Sequence, residues 1–416
     1  MYGLIGKTLK YSKSKEIHTL YREMKHIEGN YNLIELEEED LKKFMEETIF
    51  NYNGINVTIP YKEKVMPYLD KITKEALDLG SVNTIKVEDG KLIGYNTDIF
   101  GFSAMMRKHR IYVKDKDVII LGTGATAHMI KFFCHKKSAK SVKFVSRDPN
   151  KGDYTYEDNF SGQVLINTTP MGVATVNDES PVHIDVLKSF TYVLDINYNP
   201  YRTKLLRDAI SLNKQVASGF YMLISQGLKS RSIWSGDKYQ RYFTDRIYSE
   251  ISNTNVVLIG MPGCGKTTIG KALESKLNKK YISIDGYIEE KEQMTIPEMF
   301  AISEDYFREK EALYTKEISK MKNVIIDTGG GIVLNPENMN ELYKNGTVFY
   351  INRSLKNIKS TMITDNRPLL QKDTNEKLDK LYKERSSLYE KYGEIKITNT
   401  KKTETINIIC REYEKS

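Results

Sequence analysis

Two glycine-rich stretches in this chain have the spacing that lets a backbone wrap a phosphate. The first, Gly122-Thr-Gly124-Ala125-Thr-Ala127, follows the apolar run Asp117–Leu121 and precedes the amphipathic stretch HMIKFFCHKK. In a G-x-G-x-x-G/A loop the first glycine makes the tight turn, the second lets a pyrophosphate approach, and the small last residue lets the helix pack on the strand. The helix N-terminus adds free N–H groups and a dipole that favours an anion. The plain alternative is a tight turn in an α/β core that binds nothing. The next apolar run ends in Ser146-Arg147, without the acid that an NAD site places there for the ribose 2′-hydroxyl. Arg147 offers a cation for a 2′-phosphate, which favours NADP, although Asp148 beside it works against that preference. The second stretch is Gly260-Met-Pro-Gly263-Cys264-Gly265-Lys266-Thr267-Thr268, between VVLI and the helical pattern TIGKALESKL. It fits G-x-x-x-x-G-K-[ST]. Its backbone N–H groups cradle ATP phosphates, Lys266 reaches the transferring group, and Thr267 binds Mg²⁺.

Loops of this kind need strands to hold them. Apolar runs occur at Tyr2–Gly6, Gly54–Thr58, Asp117–Leu121, Ser141–Ser146, Gln163–Ile166 and Tyr192–Ile196, then at Asn255–Ile259, Tyr281–Ile284, Asn323–Asp327 and Gly346–Ile351. Helical patterns separate most of them, which predicts α/β folds with parallel sheets. Glu35–Asp40 reads as solvated surface. The polar stretch Ser249–Asn255 precedes a fresh strand-loop-helix start and predicts a domain boundary with a short linker.

The 416 residues correspond to two or three domains at about 150 residues each. Hydrophobic residues at 40% and charged residues at 28% exclude a disordered chain. The net charge of +8 suits anionic small ligands as well as nucleic acid, and decides nothing alone. Three scattered cysteines (Cys134, Cys264, Cys410) without a CxxC argue against a disulfide framework or structural zinc, and predict a reducing, cytoplasmic location. No run of 18 apolar residues predicts a membrane span, and the opening MYGLIGKTLKYSKS lacks the apolar stretch of a signal peptide.

Seven peptides around the first loop, taken in order, resemble the shikimate dehydrogenase family from the N-terminus to about Gly236. They are Gly6–Ser14, Asn56-Val-Thr58-Ile-Pro60-Tyr-Lys62, Ser81-Val-Asn83, Gly94-Tyr-Asn96-Thr-Asp98, Asn167–Gly172, Asp195–Pro200 and Gly219-Phe-Tyr-Met222-Leu-Ile-Ser-Gln226. The resemblance implies NADPH-dependent reduction of 3-dehydroshikimate to shikimate. It makes Lys62 the acid-base and Asp98 its partner, with Ser12, Ser14, Thr58, Asn83, Asp98 and Gln226 holding the substrate carboxylate and hydroxyls. It gives the cofactor Gly122, Gly124, Ala125, Ala127, Ser146, Arg147, Gly219 and Met222. Ala125 stands where the family commonly has a third glycine, and Ser146 where it has Asn. These departures bear on cofactor affinity, not on the reaction.

The remainder, from Asn255 to about Asn399, resembles shikimate kinase. After the second loop come Ser283-Ile-Asp285, Phe307-Arg308-Glu-Lys-Glu311, Thr328-Gly329-Gly330-Gly331, Arg367-Pro368 and Arg385-Ser-Ser-Leu388-Tyr389. The resemblance implies that Asp285 binds the ring hydroxyls and orients the attacking 3-hydroxyl. It also implies that Arg308 and Arg385 hold the carboxylate, that Gly329–Gly331 let the backbone approach the substrate, and that Arg367 closes over the phosphates. The catalytic set is then Lys62, Asp98, Asp285, Lys266 and Arg367, with ATP held by Gly260, Gly263, Cys264, Gly265, Lys266, Thr267, Thr268 and Arg367. Ser283 stands where the family has the first carboxylate of Asp-x-Asp, which predicts weaker Mg²⁺ binding.

Together these readings imply a bifunctional enzyme for consecutive steps of the shikimate pathway. A dehydrogenase substrate domain (1–100, completed by 219–250) and an NADP-binding Rossmann domain (101–218) precede a P-loop kinase domain with a parallel sheet (251–416). The fused kinase favours shikimate over quinate as the dehydrogenase substrate. One alternative is a dehydrogenase carrying a degenerate, regulatory kinase-like domain, supported by Ser283 alone. Another is a nucleic-acid-binding NTPase, for which no basic-aromatic module is present. Cys264, beside Lys266 at a helix N-terminus, is expected to be the most reactive of the three thiols.

Overall fold

The computed structural model describes residues 1–10, 12–173, 179–251, 254–362 and 374–413. In its first hundred residues the apolar runs form a six-stranded mixed sheet: β1 (Tyr2–Gly6), β2 (Tyr31–Glu35), β3 (Gly54–Val57), β4 (Lys71–Ile72), β5 (Thr84–Glu88) and β6 (Lys91–Tyr95). The order is β2-β1-β3-β5-β6-β4, with β1 parallel to both neighbours and β5 antiparallel to β3 and β6. Asp89 and Gly90, both at positive φ (52° and 70°), make the two-residue turn between β5 and β6. An Asp-Gly pair adopts that backbone readily, and its twist matches the strands it joins.

The second sheet contains β7 (Asp117–Leu121), β8 (Ser141–Val145), β9 (Val164–Asn167), β10 (Tyr192–Asp195) and β11 (Gln215–Ser218) in the order β11-β10-β9-β7-β8, all parallel. Every residue of the central strand β9 is buried, as expected where helices cover both faces. The chain leaves β7 for β8 on one side and later returns to β9 on the other. The carboxyl ends of β7 and β9 therefore flank a topological switch point, where open α/β sheets bind ligands. Helices Asp98–Lys108 and Phe220–Ser235 pack against each other. Gly101 permits the close approach, because a Cβ there would sit 2.6 Å from the Met222 carbonyl oxygen.

Contacts divide the chain into two units between Ile251 and Thr254, with Pro200–Arg202 and Ile210–Asn213 grouping with the second. That second unit holds a five-stranded parallel sheet of β12 (Asn255–Ile259), β13 (Lys280–Ser283), β14 (Val324–Asp327), β15 (Gly346–Asn352) and β16 (Ile395–Thr398), in the order β13-β14-β12-β15-β16. Its three inner strands are buried almost throughout.

One expectation shifts. Ser249–Ile251 are the last turn of helix Arg241–Ile251, because Phe243, Ile247 and Ile251 keep one apolar face buried; the linker is shorter than Ser249–Asn255. Glu35 and Glu37–Asp40 are exposed as expected, with Leu36 half-buried between them, and the Glu35 carboxylate at the end of β2 accepts the Leu9 N–H at 2.6 Å. Among the described residues no helix is long and apolar enough to cross a membrane.

Candidate active sites

In the first unit the ends of both sheets meet around a cavity of about 320 Å³. Six residues singled out for the substrate line it: Ser12, Ser14, Thr58, Asn83, Asp98 and Gln226. Lys62, Gly219 and Met222 line it too. Lys62 Nζ donates to Asp98 Oδ2 at 2.6 Å, and both side chains are mostly shielded (20% and 16% exposed). Asp98 begins helix Asp98–Lys108, where the helix dipole favours its charge. Its other oxygen accepts from Asn83 Nδ2 at 2.8 Å. Asn83 is fixed in turn by the Thr97 N–H, which donates to its Oδ1 at 2.7 Å. Helix Phe220–Ser235 places Met222, Gln226, Ser230 and Trp234 at four-residue spacing, and hence along one face. Gln226 Oε1 accepts from Asn83, the Ser230 hydroxyl bonds Asn56 and Thr84, and Trp234 Nε1 donates to the Ile85 carbonyl at 2.9 Å. Gly219 is obligatory: a Cβ there would lie 1.9 Å from the Ile196 carbonyl oxygen.

Beside it, a cavity of about 760 Å³ is lined by Gly122, Gly124, Ser146, Arg147, Asp148, Lys151 and Tyr156. Its size suits a dinucleotide. Gly122 has φ 99°, and a Cβ there would crowd the Thr168 hydroxyl at 2.9 Å. Gly124 has open space where a Cβ would stand, leaving room for a pyrophosphate. Ala125 begins helix Ala125–Lys136, and the fully buried Ala127 packs inward. The Ser146 hydroxyl accepts the Asp148 N–H at 3.1 Å. Asp148 is engaged locally: it accepts the Asn150 N–H and lies 3.6 Å from Lys151, and that backbone bond holds its pKa below the ordinary carboxylate value. Its charge is thus partly matched by Lys151, a second cation on this cavity that the sequence reading did not single out.

In the second unit the phosphate loop has Gly260, Gly263 and Gly265 at positive φ (148°, 79° and 105°), a backbone that favours glycine. Lys266 is buried and its Nζ donates to the Gly260 carbonyl at 2.8 Å; Thr267 and Thr268 are exposed on the first turn of helix Lys266–Leu277. Asp285, at the start of helix Ile284–Glu292, is surrounded by the charges of Lys266, Asp327, Glu289 and Arg308. Burial pushes its pKa up, with Lys266 pulling the other way, and its Oδ1 is buried without a hydrogen-bond partner among the described residues. Gly329 presses on this carboxylate, since a Cβ there would sit 2.8 Å from Asp285 Oδ1. Arg308 bonds Glu311 at 2.8 Å and covers Gly331, where a Cβ would meet its guanidinium at 2.5 Å. A Cβ on Gly330 would meet Pro262 at 2.8 Å, and the Gly330 carbonyl accepts from Tyr389 at 2.5 Å. Arg385 lies near Glu311, with its Nε buried and without a hydrogen-bond partner among the described residues. Arg367 lies outside the described residues.

Residues 4–85 match the family model "Shikimate dehydrogenase substrate binding domain", and residues 262–414 match "Shikimate kinase". The chain is 40% identical over 265 residues to a shikimate dehydrogenase (NADP(+)) of Clostridium beijerinckii, covering 61% of this chain and 98% of that one. The chain belongs to the shikimate dehydrogenase family. Among the solved structures that resemble it, two each cover 60% of this chain. Shikimate dehydrogenase 1 from Peptoclostridium difficile is 35% identical with TM-score 0.57 and 97% of its chain covered. A chorismate mutase/shikimate 5-dehydrogenase fusion protein from Clostridium acetobutylicum is 36% identical with TM-score 0.58 and 96% covered. A shikimate kinase domain follows the dehydrogenase part.

Within the shikimate dehydrogenase unit, sequence reasoning missed Ser230, Thr97 and Glu35, which act by fixing other residues and carry no motif of their own. In the kinase domain it missed Asp327, whose Oδ2 accepts from Thr267 at 2.7 Å. The expectation for Cys264 is overturned. Its side chain is fully buried and burial pushes its thiol up, outweighing the opposing pull of Lys266. The loop turns it inward, with Sγ 2.9 Å from the place of a Gly260 Cβ. Cys134 is also buried, its thiol pushed up to about 12, whereas Cys410 is partly exposed. Brief iodoacetamide treatment followed by peptide mass mapping is therefore expected to label Cys410 first, with Cys264 as slow as Cys134; rapid labelling of Cys264 would contradict the buried orientation.

Proposed function

We propose that this chain reduces 3-dehydroshikimate to shikimate with NADPH and then phosphorylates the shikimate 3-hydroxyl with ATP. The observation that carries the first half is the Lys62–Asp98 pair inside a polar cavity whose partners suit a polyhydroxy acid. Bound NADPH supplies the hydride. Lys62 donates a proton to the carbonyl oxygen as charge develops there, and Asp98 holds and orients the ammonium at 2.6 Å. Ser12 and Ser14 hold the carboxylate; Thr58, Asn83 and Gln226 bond the hydroxyls, so an analogue lacking one leaves a buried polar group unpaired. In the second half Asp285 accepts the proton of the attacking hydroxyl, Arg308 and Arg385 hold the carboxylate, and Lys266 and Arg367 offset charge on the transferring phosphoryl group. Mg²⁺, when bound with ATP, neutralises phosphate charge. The hydroxyl of Thr267 is an oxygen donor of the kind this hard cation takes.

The substrate domain comprises 1–100 with 219–251, the NADP domain 101–218 and the kinase domain the residues from about 253 onward, in a cytoplasmic protein acting on small molecules. Supplying each half with its own substrates tests the reading: NADPH oxidation by dehydroshikimate, and ADP release from ATP with shikimate. Failure of either reaction removes that half.

Arg147→Ala is expected to weaken NADPH by about ten- to a hundredfold, roughly 1.5–3 kcal/mol, through loss of a charge-assisted contact. NADH, which has no 2′-phosphate, should change little. Equal losses in KM for the two cofactors would refute the assignment.

A further inference from the structure

Ser283 is spent as a helix cap: its hydroxyl accepts the Gly286 N–H at 3.3 Å at the start of Ile284–Glu292. Directly opposite, as its register partner on the neighbouring parallel strand, stands Asp327 at the end of β14. Asp327 is 5% exposed. One of its oxygens, Oδ2, accepts two hydrogen bonds, from Thr267 Oγ1 and from the Tyr281 hydroxyl, each at 2.7 Å. Tyr281 is kept protonated, because burial first and the adjacent carboxylate second raise its pKa, so it remains a donor.

A threonine hydroxyl has one proton and two lone pairs. When it coordinates a cation, the proton must point elsewhere, and an anionic acceptor on the far side both takes the proton and enriches the oxygen. Asp327 is placed to do this for Thr267. The carboxylate absent from position 283 is thus present one strand away, at the same level of the sheet, beside the same loop.

We propose that Asp327 replaces the missing first carboxylate of the kinase domain: it orients Thr267 toward the nucleotide's Mg²⁺ and supplies the negative charge beside that cation. This rests on the kinase reading above. Asp327 is a positioning residue, acting through Thr267 and through its charge, with Tyr281 fixing its plane.

The test is a double-substitution cycle on the full chain, with Mn²⁺ as the probe. Free Mn²⁺ is followed by electron paramagnetic resonance in the presence of ADP, and metal-free ADP binding is measured by calorimetry. Asp327→Asn should weaken Mn²⁺ by about tenfold or more while metal-free ADP binding stays near native. Ser283→Asp should recover most of that loss in the Asp327→Asn background and change the native chain little. Tyr281→Phe, a milder change that keeps the charge, should give a smaller loss. Unchanged Mn²⁺ affinity in Asp327→Asn, or an equal effect of Ser283→Asp in both backgrounds, would overturn the proposal. If Asp327→Asn does not fold, an unchanged affinity in Tyr281→Phe overturns it. A native chain that binds no Mn²⁺ with ADP would overturn the kinase reading along with it.

Discussion

Lys62→Ala is expected to lower dehydroshikimate reduction by about a hundredfold to ten-thousandfold, the usual range for loss of a positioned general acid. Phosphorylation of supplied shikimate should stay near native. Lys62 follows β3, and its ammonium is held at 2.6 Å by Asp98 in the cavity where the substrate residues converge. Among the described residues no second lysine lines that cavity, so the substitution leaves no alternative ammonium from them. Asp98→Asn keeps the shape and removes the charge. It should also abolish most turnover, with a larger effect on kcat than on KM, because Asn83 and Gln226 still mark the substrate's place. Steady-state kinetics of both reactions on each variant decides the matter. Loss of both activities from either change would mean that the two units do not act separately.

Asp285→Asn should remove kinase activity by a comparable factor, about a hundredfold or more, and leave the dehydrogenase intact. The sign of its pH dependence follows from its surroundings. Burial raises the Asp285 pKa, and the pull of Lys266 does not cancel it. The proton-accepting form therefore disappears at higher pH than for a solvated aspartate at about 4, and the kinase rate should fall on an acid limb displaced upward. Stability runs the other way. The folded chain holds this proton more tightly than the unfolded one, so stability is lost as pH rises from the unfolded toward the folded pKa. Asp285→Asn should thus stabilise the kinase domain at neutral pH and lose that advantage in acid. Thermal unfolding across pH checks this. A variant no more stable than native at pH 7 would show that the carboxylate is compensated where it sits.

The parts legible in sequence were those where chemistry imposes spacing. Gly122, Gly124 and Ala127, and likewise Gly260, Gly265 and Lys266, announce their loops because few other residues tolerate the backbone those loops require. Lys62 and Asp98 were legible only through the peptides around them; 36 residues separate them, and only the fold, which brings the segment after β3 to the first turn of helix Asp98–Lys108, makes them a pair. Strands β5 and β6 were missed although Asp89-Gly90 marks their turn, because their alternation is short and interrupted by charged residues. Asp327 was hidden for a different reason. It reads as the polar end of a buried strand, and only the pairing of β13 with β14 sets it against Ser283. Cys264 misled because a helix N-terminus and a lysine both favour a thiolate, while the direction in which the loop turns its side chain is a matter of packing.

The most direct test combines both halves in one vessel. Purified chain is given 3-dehydroshikimate, NADPH and Mg·ATP, and NADP⁺, ADP and shikimate 3-phosphate are measured together over time. All three should accumulate in equal amounts once any transient shikimate is consumed, and omitting NADPH should stop ADP release. Accumulation of shikimate as the end product, with ATP untouched, would contradict the two-step function.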